Sequence, residues 1–395
     1  MSGDRLQRLL ERAGDDGRTA AELRAWPVAR EAFAERATAE GSRRLGHPAL
    51  ALAALGAAAI VVALAVTSPG AAVADWVHDH ILARPGARRS APALTHLPGG
   101  GRILVRSPQG VWVVQSDGSR RLLRGYDGAT WSPRGLYVGA WRGHELFAVE
   151  PGGRVHWSLA RAGTIHAADW SPDGFRIAYL AGDSLRVVAG DGTTDTMLRS
   201  RVARVAPAWR PQAPHLLAAA PRRRTVDLIA TDARAVVWRR QLPQDVRALS
   251  WSPDGKLLAV AGRTRIAILS GPSGRYGREV LVPANFAVTA IAFAHGSPRL
   301  AVALRGVGGR ARVLTVDLSS RHASRRWLFA GSAVFSELGW SPDDRWLQLS
   351  WPAADQWLFL GATPGAGVRA VSDIARQFDP GAAQPRFPRT AGWCC

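Results

Sequence analysis

Two short motifs in the sequence contain residue types that could do chemistry. Gly182-Asp183-Ser184-Leu185 places a serine in a nucleophile-type motif, but the Asp-x-x-His partner of such a serine is missing from the C-terminal part. His78-Asp79-His80 offers two imidazoles and a carboxylate, but no further metal ligand lies nearby in the sequence. No G-x-S-x-G elbow, P-loop or H-E-x-x-H pattern occurs. We therefore predict a non-enzymatic protein with no catalytic residue, no metal site and no cofactor.

Arginine indicates a second kind of chemistry, the binding of anions. The formal net charge is +20, and Lys256 is the only lysine. A GC-rich genome favours arginine codons, but the resulting positive field attracts anionic polymers or lipid headgroups whatever its origin. Guanidinium groups suit carboxylates and phosphates because they donate paired N–H groups to them. The candidate anion- or partner-binding residues, with His144 beside them, lie in short loops between apolar runs: Arg142, Arg222, Arg223, Arg224, Arg263, Arg265, Arg305, Arg310 and Arg312.

A sequence repeat indicates which elements position these loops. The tripeptide Trp-Ser-Pro, usually followed by Asp-Gly, returns in steps of 39 to 47 residues if degenerate copies are included. This period is too long for a helical-pair repeat and right for a four-stranded propeller blade. The anchors of the repeat are Trp131, Trp170, Trp209, Trp251, Phe293 and Trp340.

Each residue type of the repeat has a mechanical task. In the clearest unit, residues 167–200, four short apolar runs alternate with turns rich in Gly, Asp and Pro. Proline lacks an N–H and ends strand pairing, while Asp-Gly supplies the positive φ that a tight hairpin needs. The tryptophan can fill the wedge between blades. A single blade cannot bury both faces, so the array must close into a ring.

The pattern predicts an all-β, seven-bladed β-propeller, with six or eight blades as alternatives. The blades are expected to begin near residues 93, 127, 166, 205, 247, 288 and 336. Residues 96–103 align with residues 170–177 and supply the first blade, but residues 390–393 also resemble an innermost strand. Both ways of closing the ring stay open. Loops between the second and third strands of every blade share one face, so we expect the candidate arginines at a common rim.

The repeat units resemble those of TolB-type propellers, which are related to WD repeats and share the W-S-P-D-G consensus. The resemblance covers about residues 97–372. The Gly-His start and terminal Trp-Asp of true WD repeats are missing, so their hydrogen-bonded tetrad is not implied. The whole layout, ending in Gly-Trp-Cys-Cys, resembles uncharacterised membrane-anchored propeller proteins of high-GC actinobacteria. That resemblance implies no activity.

An apolar segment precedes the repeats. The 19 residues 48–66 carry no charge and are long enough to cross a bilayer as one helix. Because Arg43 and Arg44 precede the segment and Asp75 and Trp76 follow it, the positive-inside rule places the N-terminus in the cytoplasm. A cleaved signal remains an alternative, since residues 72–74 resemble a signal-peptidase site and residues 42–45 a twin-arginine fragment. Either way the propeller would be exported.

These observations define five segments. We predict a helical cytoplasmic segment at 1–47, a transmembrane helix at 48–67, a linker at 68–92, propeller repeats at 93–372 and a tail at 373–395. Cys394 and Cys395 are the only cysteines. Adjacent cysteines bridge each other only in a strained ring, so we expect free thiols or intermolecular pairing.

The expected function is that of a membrane-anchored, extracytoplasmic interaction platform at the cell envelope. Its partner would be a protein or an anionic envelope polymer, and nucleic acid is not expected because the propeller is placed outside the cell. One alternative is a transmembrane sensor, in which the helix around Trp26 and Phe33 engages a cytoplasmic partner. A propeller-type enzyme is the other alternative, and it would need acidic residues or histidines lining the channel.

Overall fold

The computed structural model describes residues 94–320, 323–363 and 366–395. The predicted cytoplasmic segment, transmembrane helix and linker lie outside these residues, as does His78-Asp79-His80. Within the described ranges, no helix is long and apolar enough to cross a membrane.

The described chain forms seven four-stranded antiparallel sheets, which confirms the all-β, seven-bladed prediction. The strands of the first three blades are β1 (Arg102–Ser107), β2 (Gly110–Val114) and β3 (Arg120–Arg124); β4 (Gly128–Trp131), β5 (Val138–Arg142), β6 (Glu145–Val149) and β7 (Val155–Ala160); β8 (Ile165–Trp170), β9 (Arg176–Ala181), β10 (Ser184–Ala189) and β11 (Thr196–Arg199). Blades 4 and 5 contain β12 (Ala208–Trp209), β13 (Leu216–Arg222), β14 (Thr225–Ala230) and β15 (Ala235–Gln241); β16 (Ala248–Trp251), β17 (Leu257–Ala261), β18 (Arg265–Ser270) and β19 (Tyr276–Leu281).

Blades 6 and 7 complete the array, and the last strand returns to blade 1. Their strands are β20 (Phe286–Phe293), β21 (Arg299–Gly306), β22 (Arg310–Asp317) and β23 (Ser324–Ser332); β24 (Leu338–Trp340), β25 (Trp346–Trp351), β26 (Gln356–Gly361) and β27 (Val368–Ser372). Short 3₁₀ turns occupy Val307–Gly309 and Pro352–Ala354. A one-turn helix, α1 (Ile374–Phe378), then leads towards the final strand, β28 (Arg389–Cys394).

Strand β28 closes the ring. It pairs antiparallel with β1, with Trp393 opposite Ile103, and so forms the innermost strand of blade 1. Trp393 is 6% exposed, donates its indole N–H to the Gly100 carbonyl at 2.9 Å and packs edge-on against Phe359. Of the two closures that the sequence left open, the structure has the C-terminal one, and Leu97 lies outside the innermost strand.

Several anchors of the repeat form hydrogen bonds between neighbouring blades. Trp209, Trp251 and Trp340 each donate the indole N–H, at 3.0 Å, to a carbonyl of the preceding blade's innermost strand; the acceptors are Asp169, Ala208 and Ala292. Phe293 has no such donor, and its backbone N–H instead donates to Ser250 Oγ at 3.2 Å. Trp131 and Trp170 are buried in the same position, but their indole N–H groups have no hydrogen-bond partner among the described residues.

The serine of the repeat is the centre of its turn. Ser171 is fully buried, donates its hydroxyl to Asp173 and accepts the backbone N–H of Arg176 at 2.9 Å. Ser252 and Ser341 make the same pair of bonds in blades 5 and 7. The turn requires positive φ two residues after the proline, and Gly174 has +80° there. These residues build blades and are not a functional site.

The expectation for the cysteines was wrong, because Cys394 and Cys395 form a disulfide with each other. Strand β28 ends at Cys394, and the two sulfurs come together over Gly135 in the turn of blade 2. Gly135 has no side chain to occupy that space. The spacing of the cysteines alone could not predict this position of the sulfurs, because blade 2 provides the space that they occupy.

Candidate functional site

The two faces of the propeller carry different connections. In each sheet the strands alternate in direction from the innermost to the outermost. One face, the anchor face, therefore carries the first-to-second and third-to-fourth turns, which include the Ser-Pro-Asp turns. The opposite face, the rim face, carries the second-to-third turns and the connections between blades.

The predicted arginines all belong to rim-face turns or to the strand residues beside them. Arg222–Arg224 form the turn between β13 and β14 of blade 4, and Arg263 and Arg265 flank the corresponding turn of blade 5. Arg305, Arg310 and Arg312 surround the turn of blade 6. The structure thus brings together the candidates of three consecutive blades. Arg142 and His144 lie in blade 2, so blade 3 separates them from this group.

Several of these guanidinium groups already have carboxylate partners. Arg142 pairs with Glu145 at 3.1 Å and stacks over the Phe147 ring at 5.3 Å from its centroid. Arg223 and Arg224 share Asp245, at 3.3 and 3.2 Å. These are exposed pairs, so each contributes little to stability. They do reduce the positive charge that is available to a ligand.

Arg265 is paired too, at 3.5 Å from Glu279. The two carboxylates that pair with arginines on this part of the face, within the described residues, are therefore Asp245 and Glu279. Both come from segments next to the arginine turns, namely the connection after β15 and strand β19. Neither neutralises the group as a whole.

Three arginines of the group are exposed, and their side chains form no hydrogen bond or ion pair with any other described residue. They are Arg222, Arg263 and Arg305, one each on blades 4, 5 and 6. An unpaired guanidinium keeps all its N–H donors for a ligand. These three side chains are the strongest candidates for contact with an anion.

Aromatic rings support the arginines of blade 6. The Arg312 guanidinium lies 5.3 Å from the Phe286 ring centroid and 5.1 Å from that of Trp327, and Arg310 is 6.0 Å from Phe286. Stacking on both rings restrains the planar group and leaves its edge for hydrogen bonds. Trp327 is itself 45% exposed. Sequence reasoning missed Phe286 and Trp327, because their nearness to the arginine turn comes from strand pairing.

Further exposed arginines were missed in the connections between blades, namely Arg201, Arg204 and Arg247. The available signal was the topology: these connections share the rim face with the second-to-third turns. Burial lowers the pKa of His166 on the innermost strand of blade 3, and the positive charge of Arg204 lowers it further.

Two ionisable groups, one on an innermost strand and one directly before such a strand, lie in environments that alter their pKa. Burial raises the pKa of Asp169 to about 7, although the backbone N–H groups of Trp209 and Trp170 oppose that rise. Burial also raises the pKa of Glu337, which accepts the Ser336 hydroxyl and lies 4.0 Å from Arg389.

The Glu337 carboxyl borders a cleft of about 230 Å³ at the seam between blades 7 and 1. Buried Gln348 crosses this seam by accepting the Thr390 hydroxyl at 3.2 Å. The part of the chain that the structure describes contains no group of three or more His, Cys, Asp or Glu able to hold a metal ion.

Ser184 of the nucleophile-type motif is the first residue of β10. It pairs with Ala181 across the β9–β10 hairpin, and its hydroxyl donates to Asp183 at 3.4 Å. The motif therefore coincides with an ordinary second-to-third turn of blade 3.

No protein-family model and no curated protein matches the sequence. Solved structures do match, with a TM-score of 0.52 and 14% identity for two of them. Kuenenia stuttgartiensis hydrazine synthase is matched over 63% of this chain and 86% of its own, and the Cps50 (Swd1) β-propeller domain of Myceliophteria thermophila over 63% and 87%. KlHsv2 with loop 6CD replaced by a Gly-Ser linker matches with a TM-score of 0.50 and 12% identity over 68% and 93%. At this identity the likeness shows the propeller fold alone.

Proposed function

We propose that this protein is a non-enzymatic interaction platform that binds an acidic partner through the rim face of blades 4 to 6. The observation that carries the proposal is the row of exposed, unpaired arginines on consecutive blades, Arg222, Arg263 and Arg305. The partner is a carboxylate-rich protein surface or an anionic envelope polymer. The Ser-Pro-Asp turns support the further proposal that the repeats are of the TolB type.

The row suits an extended anion better than a small one. Its members lie on three separate blades, so one small anion would contact one of them, whereas a polymer or an acidic surface can contact all three. Each exposed contact is worth up to about 1 kcal/mol, so affinity must come from several of them acting together. The stacked Arg312 adds a restrained guanidinium beside this row.

We also propose that residues 48–67 anchor the chain in a membrane and that the propeller lies outside the cytoplasm. The uncharged segment 48–66 is long enough to cross a bilayer as one helix, and arginines precede it, which supports this proposal.

The test is a pair of triple variants that remove the same charge from the two faces. R222Q/R263Q/R305Q changes the rim face. The matched control, R134Q/R275Q/R345Q, changes three exposed arginines in anchor-face turns whose side chains have no partner among the described residues. Kd is measured for polygalacturonate and for polyglutamate at two salt concentrations.

We expect the rim variant to lose about tenfold or more in affinity for at least one probe and to show a weaker salt dependence. The control should change less than twofold. Equal losses for both triples would mean that only net charge matters, and the proposal would be wrong. Duplex DNA serves as a reference polyanion, and a loss confined to DNA would also contradict the proposal.

A further inference from the structure

The disulfide between Cys394 and Cys395 lies at the boundary between solvent and core. Cys395 is exposed, whereas Cys394 is half-buried and packs against the cluster that contains Trp131 and Leu104. An external molecule can therefore reach one of the two sulfurs directly. The other sulfur is held by the fold.

The two sulfurs lie in one space beside Gly135, which we call the disulfide seat. The position that a Cβ on Gly135 would occupy is 2.7 Å from Cys395 Sγ, 3.0 Å from Cys394 Sγ and 2.2 Å from Nη2 of Arg102. All three atoms thus surround the same point, which is empty only because the residue is glycine. Gly135 also has φ of +64°, where a side chain would be unfavourable. The structure therefore places a cation beside both sulfurs.

Arg102 is fixed in that position. Its Nη2 donates to the Gly135 carbonyl at 2.8 Å, and its guanidinium stacks over the Trp131 ring at 4.9 Å from the centroid. Arginine keeps its charge in proteins, and a neighbouring cation stabilises a thiolate. Arg102 makes no ion pair with another described residue, so no carboxylate there competes with a sulfur anion.

We propose that Cys394–Cys395 is a thiol–disulfide exchange site for an external dithiol. One thiolate of the dithiol attacks exposed Cys395 Sγ, a new S–S bond forms, and the Cys394–Cys395 bond breaks. Cys394 leaves as a thiolate that Arg102 stabilises. The second thiol of the dithiol, after losing its proton to solvent, attacks the dithiol sulfur that is bonded to Cys395, closes the dithiol's own S–S bond and releases the Cys395 thiolate. Two electrons pass from the dithiol to the protein, and the dithiol becomes a disulfide.

The test uses the full-length chain and dithiothreitol as the dithiol. After timed exposure the protein is quenched with an alkylating reagent, and the mass reports how many cysteines were reduced. R102Q removes the cation and retains a donor for the Gly135 carbonyl. R299Q is the matched control, because Arg299 stacks at the same 4.9 Å over Trp340 in the corresponding place between blades 6 and 7, with no cysteine beside it.

We expect the wild type to gain two alkyl groups while still folded and R102Q to react about threefold to tenfold more slowly, because its leaving thiol is less acidic. R299Q and R102K should stay within about twofold of the wild type, and the wild-type measurement keeps the test decisive if R102Q folds poorly. The C394S variant should form a mixed disulfide on Cys395 with an aromatic disulfide reagent. A wild-type pair that is reduced only on unfolding would overturn the proposal, as would equal rates for R102Q and R299Q.

Discussion

Arginines on the anchor face of this propeller include links between neighbouring blades, whereas the row of Arg222, Arg263 and Arg305 on the rim face makes none. On the anchor face, Arg210 donates to the Gly255 carbonyl of the next blade at 2.8 Å, and Arg326 donates to the carbonyls of Ala362 and Thr363 in blade 7. On the rim face, the side chains of Arg222 and Arg263 have no partner among the described residues. The high arginine content is therefore partly structural. An arginine links two blades where its guanidinium reaches a carbonyl of the neighbouring blade, and it stays available to a partner where no such carbonyl is in reach.

The same contrast applies to tryptophan, and it predicts the largest effect. W393A removes a buried ring and its hydrogen bond at the seam, so we expect a loss of about 3 to 5 kcal/mol in unfolding free energy. W327A removes the exposed rim-side ring and should cost less than about 1 kcal/mol. Denaturant unfolding of both variants measures this, and similar losses would break the distinction between seam and rim.

The pH dependence of the unfolding free energy distinguishes a carboxyl group on an innermost strand from one on the rim. The folded pKa of Asp169 is about 7, above its ordinary value of 3.8, so the protonated form favours folding. The contribution is therefore complete below about pH 4 and is lost as pH rises through about 7. The full shift corresponds to about 4 kcal/mol, but Asp169 is only half-buried by its solvent exposure, so we expect about 1 to 2 kcal/mol.

We therefore expect D169N to be more stable than the wild type at pH 8 and to lose this advantage below pH 4. D245N on the rim is the control, and its unfolding free energy should stay within about 0.5 kcal/mol of the wild type. Thermal melts across this range check both variants. A stability gain for D169N that is independent of pH would show that the carboxyl charge is not its cause.

Single arginine substitutions give the smallest expected effect and test the comparison most directly. R210Q removes a link between blades 4 and 5 and should cost about 1 kcal/mol in unfolding free energy. R263Q removes an unpaired side chain and should leave stability unchanged while it weakens anion binding. Unfolding curves and binding isotherms are needed for both. A loss of anion binding for R210Q without a loss of stability would mean that the anchor face, and not the rim face, binds the anion.

Much of the fold was readable because the repeat is local. Trp170, Ser171, Pro172 and Asp173 make their turn from neighbouring residues, so their order alone predicts the hairpin and, by repetition, the blade count. Ring closure was not readable, because residues 96–103 and 390–393 both carry the innermost pattern. Only long-range pairing with β1 decides between them.

The site was readable in part for the same reason. Loop position alone predicted the arginines, but not which of them are paired. Asp245 and Glu279 reach the arginines from other strands and connections, and Phe286 stacks under Arg312 through the folding of blade 6. The disulfide seat at Gly135 likewise belongs to blade 2, far along the chain from the cysteines.

The closure of blade 1 by β28 has a consequence for the order of assembly. A chain that emerges from its N-terminus presents β1 long before its partner exists, so the apolar edge of Ile103, Leu104 and Val105 waits unpaired until the other six blades have formed. Such an edge is a template for pairing with another chain. Shielding of this strand during synthesis or transport would therefore govern the yield of native protein, and chains interrupted before β28 should be the species that aggregate.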